Sequence, residues 1–192
     1  MKINSIATLS PGLVTTRKKS RHKEEVAFTY KLLNLNAVDE EFGIIDKSLL
    51  TNFESVEELE KHYFTKKGDI LIRLNEPFTA IYIQEDTENI LIPSYFIKLE
   101  ITDKDIEPWY LLWYLNNPIV KREFLKTQSG TLIPSINQKV IKALNIPKKD
   151  KETQKNIGEI YRLHIKEIEL LKKLIKLKYE SFNGISQKLL DK

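Results

Sequence analysis

A chain of 192 residues that is 41% hydrophobic and 30% charged can bury the core of one domain, or of one domain with an appendage. Having no cysteine, it cannot carry a disulfide scaffold, a thiolate zinc site or a cysteine nucleophile. The net charge of +4 resides in residues 151–192, where ten Lys and Arg face six Asp and Glu, and residues 1–150 balance. Such a distribution permits nucleic-acid binding without demanding it. No apolar run approaches the roughly 20 residues of a membrane-spanning helix, and the first residues lack a signal-peptide pattern. An intracellular, cytoplasmic protein is therefore expected.

Arg17, Lys18, Lys19, Arg21 and Lys23 crowd one short stretch, and residues 39–60 answer with acids against Lys47 alone. Val26, Phe28, Tyr30 and Leu32 alternate with polar neighbours, the period of a half-buried strand. Ser55 and Glu58 have capping-box spacing, which predicts a short helix through about Tyr63. Gly68-Asp69 breaks the chain before the strand-like Ile70-Leu71-Ile72, with Arg73 following. Residues 78–84 and 95–99 alternate again, with Tyr95, Ile97 and Leu99 expected on one face. A mixed, mostly antiparallel sheet accommodates these strands.

The period changes at Glu107. Pro108 suits a first helical position, and Trp109, Leu112, Trp113 and Leu115 follow at helical spacing. Asn116-Asn117-Pro118 ends that helix and starts the next, which runs to about Lys126. Residues 128–131 read as a loop. Ser135 and Gln138 form a second capping box for a helix through Leu144. Beyond Pro147 there is no further proline, and Asp150 is placed to cap one long amphipathic helix. Its seam steps through Ile157, Tyr161, His164, Ile168, Leu171, Ile175, Lys178, Phe182, Ile185 and Leu189, widened by Leu163, Leu170, Leu174 and Leu177. At ~1.5 Å per residue such a helix spans about 50–60 Å and outruns a small domain, so the stripe calls for a partner helix. His164 is a polar seam position that sets register, with a ligand or switch role as the alternative. His62 is expected on the surface of a helix.

Catalytic patterns are missing. Six glycines never fall at G-x-G spacing, so glycine-rich dinucleotide, S-adenosylmethionine and P-loop motifs are absent. The three histidines are scattered, with no spacing for zinc. Asp39-Glu40-Glu41 suits a solvated turn better than a magnesium site. Asn117-Pro118-Ile119 lacks the second proline of the amino-methyltransferase motif.

Several fragments share an order and spacing that resemble a type I restriction–modification specificity subunit. They are Gly68-Asp69-Ile70-Leu71-Ile72, Pro93-Ser94-Tyr95-Phe96-Ile97-Lys98-Leu99, Pro108-Trp109-Tyr110-Leu111-Leu112-Trp113-Tyr114-Leu115, Ser129-Gly130-Thr131, Ile141-Lys142-Ala143-Leu144-Asn145-Ile146-Pro147, and Gln154-Lys155-Asn156-Ile157 entering the long helix. Tyr30-Lys31-Leu32-Leu33 fits the start of such a domain. The resemblance implies an α+β fold: a mixed target-recognition domain with a largely antiparallel sheet over residues 1–149, then a long coiled-coil spacer helix over 150–192. A full subunit of that family carries two such units, whose helices pair antiparallel. This sequence holds one, so a half-subunit that homodimerises and a truncated gene both stand open. The seam favours dimerisation through Ile157, Tyr161, His164, Ile168, Leu171, Ile175, Phe182 and Ile185, because an unpaired stripe leaves a large apolar patch exposed.

The implied function is recognition of double-stranded DNA at a bipartite site for a methyltransferase subunit and a restriction/translocase subunit. The chain itself would be non-catalytic and without cofactor, S-adenosylmethionine and ATP belonging to those partners. Arg17, Lys18, Lys19, Arg21 and Lys23 are the candidate phosphate-contacting residues, against a solvated loop. Arg73 is presented to a groove or pairs with an acid such as Glu76. Gln128, Ser129 and Thr131 form a candidate DNA-contacting loop around Gly130, against a simple turn. The aromatics of residues 109–114 suit core packing better than base stacking, since duplex DNA offers no free base faces. A rival reading is a degenerate relative that serves as a coiled-coil protein-interaction module without DNA recognition.

Overall fold

The structure, a computed structural model, describes residues 1–20, 25–127 and 135–190. Among the described residues six strands and four α-helices follow one another: β1 (Ala7–Pro11), β2 (Phe28–Leu32), β3 (Thr51–Ser55), β4 (Ile70–Arg73), β5 (Ala80–Tyr82), β6 (Phe96–Ile101), α1 (Pro108–Leu115), α2 (Pro118–Lys126), α3 (Gln138–Ala143) and α4 (Lys151–Leu190). The expected α+β architecture holds, with every strand pairing antiparallel: a sheet in the order β1-β6-β4-β5 and a separate β2-β3 hairpin. No helix among the described residues is long and apolar enough to cross a membrane.

The register of the larger sheet sorts its side chains onto two faces. Leu9, Leu99, Ile70 and Tyr82 lie in one row, and Ile97, Ile72 and Ala80 in the next. These point at α1 and form the main core with Tyr110, Leu111, Leu112, Leu115, Val120 and Phe124. Leu71, Ile81 and Phe96 face the other way, onto Leu33, Val38, Ile90 and Ile92. A third cluster, Leu13, Phe53, Leu59 and Leu91, secures the hairpin. Strands buried on both faces read as continuous apolar runs, which explains the short Ile70-Leu71-Ile72 signal.

Three local expectations are corrected. Ser55 does not cap a helix: it ends β3, fully buried, with its hydroxyl donating to Glu57 O at 2.8 Å. Only a 3-10 turn, Lys61–Tyr63, follows, and exposed His62 sits on it. Ser135 does not cap α3 either; Asn137 does, accepting from the N–H groups of Lys139 and Val140 at 3.0 and 3.2 Å. Tyr95 leaves the row of Ile97 and Leu99, precedes β6, and donates its hydroxyl to Leu33 O at 3.0 Å within the second cluster. In each case a short polar side chain or a phenol found a backbone partner that sequence spacing does not reveal.

The aromatics of α1 are core residues. Tyr110 is buried, Trp109 packs on Tyr82 with ring centroids 4.9 Å apart, and Trp113 stacks on Tyr110 at 5.6 Å. The hydroxyls of Tyr110 and Tyr114 donate to Pro147 O and Asn145 O at 2.8 and 2.7 Å, which ties α1 to the segment entering α4. Asp150 caps α4 as expected, accepting from Thr153 N at 2.8 Å.

Two devices then clamp α4 to the domain. Gln154, 3% exposed, accepts from Glu107 N at 3.2 Å and donates to Asp105 O and Lys149 O at 3.2 and 3.0 Å, joining the starts of both helices. One turn on, a Cβ at Gly158 would sit 3.0 Å from both Trp109 Cβ and Tyr110 N, so any larger residue must push α1 and α4 apart by a few tenths of an ångström. The second device is the turn at residues 39–45. Asp39 accepts from the N–H groups of Glu41 and Phe42 and pairs with Lys172, whose ammonium lies 5.0 Å from the Phe42 ring centroid. Phe42 meets His164 edge-on at 6.1 Å.

Two outcomes follow from the clamp. Gly158→Ala should lower stability by about 1 kcal/mol, because the overpacking cost exceeds the gain in helix propensity. At Gly184 the same substitution meets nothing within 4 Å and should raise stability by about 0.5–1 kcal/mol; urea unfolding of both variants decides. The second concerns acid. Burial alone would raise the Asp39 carboxyl, but the Lys172 ammonium and the two backbone N–H groups outweigh it and hold the carboxyl below its ordinary value. A lowered folded pKa contributes stability above the ordinary carboxylate range and loses it as pH falls through the folded value. Asp39→Asn should therefore flatten the fall in stability on acidification below about pH 4, as read by thermal unfolding across pH; an unchanged profile would show that the pair contributes nothing.

Candidate nucleic-acid interface

The basic stretch begins on a 3-10 turn, Thr15–Arg17, that follows β1. Arg17 and Lys19 are exposed, and Lys19 forms an isolated bridge with Ser55 at the end of β3. Lys18 is partly buried and pairs with Glu57; that carboxylate's hydrogen bond and charge raise its pKa. Its charge is thus already compensated, which leaves Arg17 and Lys19 as the free cations of the described part. Arg21 and Lys23 lie outside the described residues, as do Gln128, Ser129 and Thr131.

Arg73 does not face solvent. It closes β4 at 9% exposure, and its guanidinium donates to Glu40 at 2.5 Å rather than to Glu76. Its Nε is buried without a hydrogen-bond partner. The β4 register directs Arg73 away from the helix side of the sheet, next to Phe96, under the 39–45 turn. Its role is to hold that turn, and through it α4. The acidic run Asp39-Glu40-Glu41 is accordingly a structural turn. Among the described residues no group of three or more His, Cys, Asp or Glu is placed to hold a metal ion.

The long seam divides in two. Ile157 and Tyr161 pack against the main core, Ile165 is buried and Ile168 half-buried, so this part of the stripe is consumed within the chain. Leu171, Ile175, Phe182 and Ile185 remain exposed, at 48%, 55%, 66% and 56%, together with Ile160, Leu163, Leu170, Leu174, Leu177 and Leu189. At about 100° per residue Ile160, Leu163, Leu170, Leu174 and Leu177 lie more than 100° around the helix from the face on the domain, whereas Ile175, five turns beyond Ile157, lies on the same side as Ile157 and is nonetheless exposed. The sequence pattern shows neither how far along α4 the domain reaches nor that a second apolar stripe runs beside the covered one. Sequence reasoning also missed Gln154 and Gly158 as the residues that fix the helix. A lone glycine in an otherwise uninterrupted helical pattern is the signal that marks such a place.

The type I restriction modification DNA specificity domain family matches residues 2–179, and the chain belongs to that family. No curated protein matches it in sequence. Among solved structures, a chain from a study of complex assembly and conformational transition of the type I R-M system superposes with TM-score 0.65 at 12% identity, covering 94% of this chain and 44% of that one. The HsdS subunit from Thermoanaerobacter tengcongensis gives 0.62 at 13%, covering 91% and 43%. The type I S subunit from M. genitalium gives 0.52 at 19%, covering 92% and 41%. These likenesses are of fold, and this chain spans less than half the length of each.

Arg73 is spent inside the domain while its partner Glu40 is exposed, so Arg73→Ala should destabilise the fold by about 1–2 kcal/mol through lost packing and a lost hydrogen bond. The same variant should leave the salt dependence of any DNA binding unchanged. A stable variant with a flattened salt dependence would instead make Arg73 a DNA contact.

Proposed function

We propose that this chain recognises double-stranded DNA for a type I restriction–modification system, as a non-catalytic specificity module. It would direct a methyltransferase subunit, and in the full assembly a restriction/translocase subunit, to a bipartite site. S-adenosylmethionine and ATP would be held by those partners, and the assembly would act in the cytoplasm. The observation that carries this reading is the family match across residues 2–179, domain and helix together.

The free stripe of α4 supports pairing with a second copy. From Ile160 to Leu190 it runs about 45 Å at 1.5 Å per residue, somewhat more than one turn of DNA. Two domains related by a two-fold axis and separated by such a spacer would read two inverted half-sites. Arg17 and Lys19 serve as phosphate contacts in this arrangement.

Binding of duplex DNA should weaken steeply with salt, log K falling by about 0.9 for each phosphate neutralised. Absence of binding at low salt, even with a methyltransferase subunit present, would leave a coiled-coil interaction module. Light scattering should give twice 22.5 kDa. Leu171→Glu, Ile175→Glu and Phe182→Glu together should return the monomer mass; a dimer that survives them has its interface elsewhere.

A further inference from the structure

On the opposite face of the larger sheet from α1, the middle of β6 carries Lys98. This lysine is 8% exposed, and its Nζ makes a hydrogen bond to Phe64 O at 3.3 Å. It forms an ion pair with buried Asp69 at 3.9 Å, beyond hydrogen-bond reach, and the Asp69 carboxylate also accepts from Lys66 N at 2.8 Å. An ammonium has three donors, of which Phe64 O takes one from Lys98. What lies above it is an open cleft of about 440 Å³, lined also by Lys61, Phe64, Thr65, Lys66, Glu88 and Asn89.

The cleft gathers three lysines around a single rim acid. Lys18, Lys47, Lys67, Lys151 and Lys172, and within the cleft Lys98, each stand within ion-pair distance of a carboxylate. Among the described residues, Lys61 and Lys66 have no carboxylate within that distance. Glu88, the one acid on the rim, accepts from Lys67 N at 2.7 Å. The other polar groups are used internally: the Thr65 hydroxyl donates to Thr87 O and accepts from Ile90 N, and Asn89 N donates to Thr65 O. What remains for a ligand is concentrated positive charge with few directional donors, beside the ring of Phe64. This suits a phosphate between sugars and not the edge of a base, which needs paired donors and acceptors.

We propose that the cleft of Lys61, Lys66 and Lys98 is a binding site for a backbone phosphodiester of the DNA. The assignment rests on the DNA-recognition reading above and adds to it a contact outside the basic stretch at residues 17–23. The two regions adjoin: Glu57 holds Lys18, and Lys61 lies four residues further along the same extended segment, at most about 14 Å away. A strand lying across Arg17 and Lys19 therefore has the cleft within reach of a neighbouring phosphate.

The test uses the full chain. Lys61→Gln with Lys66→Gln removes two exposed charges without touching the core, and Lys139→Gln with Lys142→Gln on α3 is the control. The cleft variant should reduce the salt slope of duplex binding by about one, the control by nothing. Titration with inorganic phosphate, followed by amide NMR, should shift Thr65, Lys66, Asn89 and Lys98 in the wild type and not in the cleft variant. An unchanged slope alongside normal wild-type DNA binding overturns the cleft alone and leaves the DNA reading intact. Phosphate shifts with an unchanged slope make it a site for the free anion, which also overturns the proposal. Failure of the wild type to bind duplex at all overturns the DNA reading, and the phosphodiester assignment with it.

Discussion

The structure depends on one close approach, that of α1 and α4 at Gly158. A 40-residue helix attached only by its end would swing freely against its domain. Here the absence of a side chain at Gly158 lets the α1 backbone come within contact distance, and the buried amide of Gln154 closes the gap between the two helix starts. Buried amides that satisfy three backbone groups at once are costly to replace, since each orphaned partner carries its own desolvation cost. The Asp39–Lys172 pair and the Phe42 ring then set the direction in which α4 leaves. A spacer can define a distance only when it is held at more than one point.

The same economy governs charge. Residues 1–150 are neutral in total, yet their cations are not equivalent. Lys18, Lys47 and Lys67 are compensated locally, Arg73 braces a turn from inside, and Arg17, Lys19, Lys61 and Lys66 remain without a carboxylate within ion-pair distance. A neutral domain that leaves cations unpaired where they gather can still offer phosphate contacts, because screening confines each charge to about a Debye length of its surroundings. Net charge averages this pattern away.

Much of the fold was legible in the chain. Pro108 and Pro118 opened their helices, Asp150 capped α4, and the apolar run at Ile70 marked a central strand. The errors share a cause. Ser55 and Ser135 had the spacing of caps, but strand pairing claimed the first, and the better-placed Asn137 took over from the second. Tyr95 alternated correctly with Ile97 and Leu99, yet its hydroxyl reached Leu33 O across 62 residues of sequence. Local pattern is a weak prior wherever a long-range partner competes. Of the candidate interface, the basic run was visible because its residues are consecutive. The Lys98 cleft was not, because β6, the 61–66 segment and the turn at 88–89 meet only in the folded chain.

The sequence by itself determined the class of protein, the order of the elements from β4 onward and the existence of a long amphipathic helix, all of which follow from periodicity, punctuation and shared fragments, but it left β1 and β3 unread. It did not determine which apolar positions of that helix are spent. Ile157, Tyr161 and Ile165 are covered by the domain, while Leu171, Ile175 and Phe182, further along the helix, stay exposed. Only the tertiary structure separates the two sets, because both satisfy the same 3.6-residue period. Which set is covered depends on where α1 lies, and α1 is placed by the sheet beneath it. The fate of Arg73 was decided in the same way: its position after an apolar strand is a local fact, but the carboxylate it meets lies on a distant turn that only folding brings there.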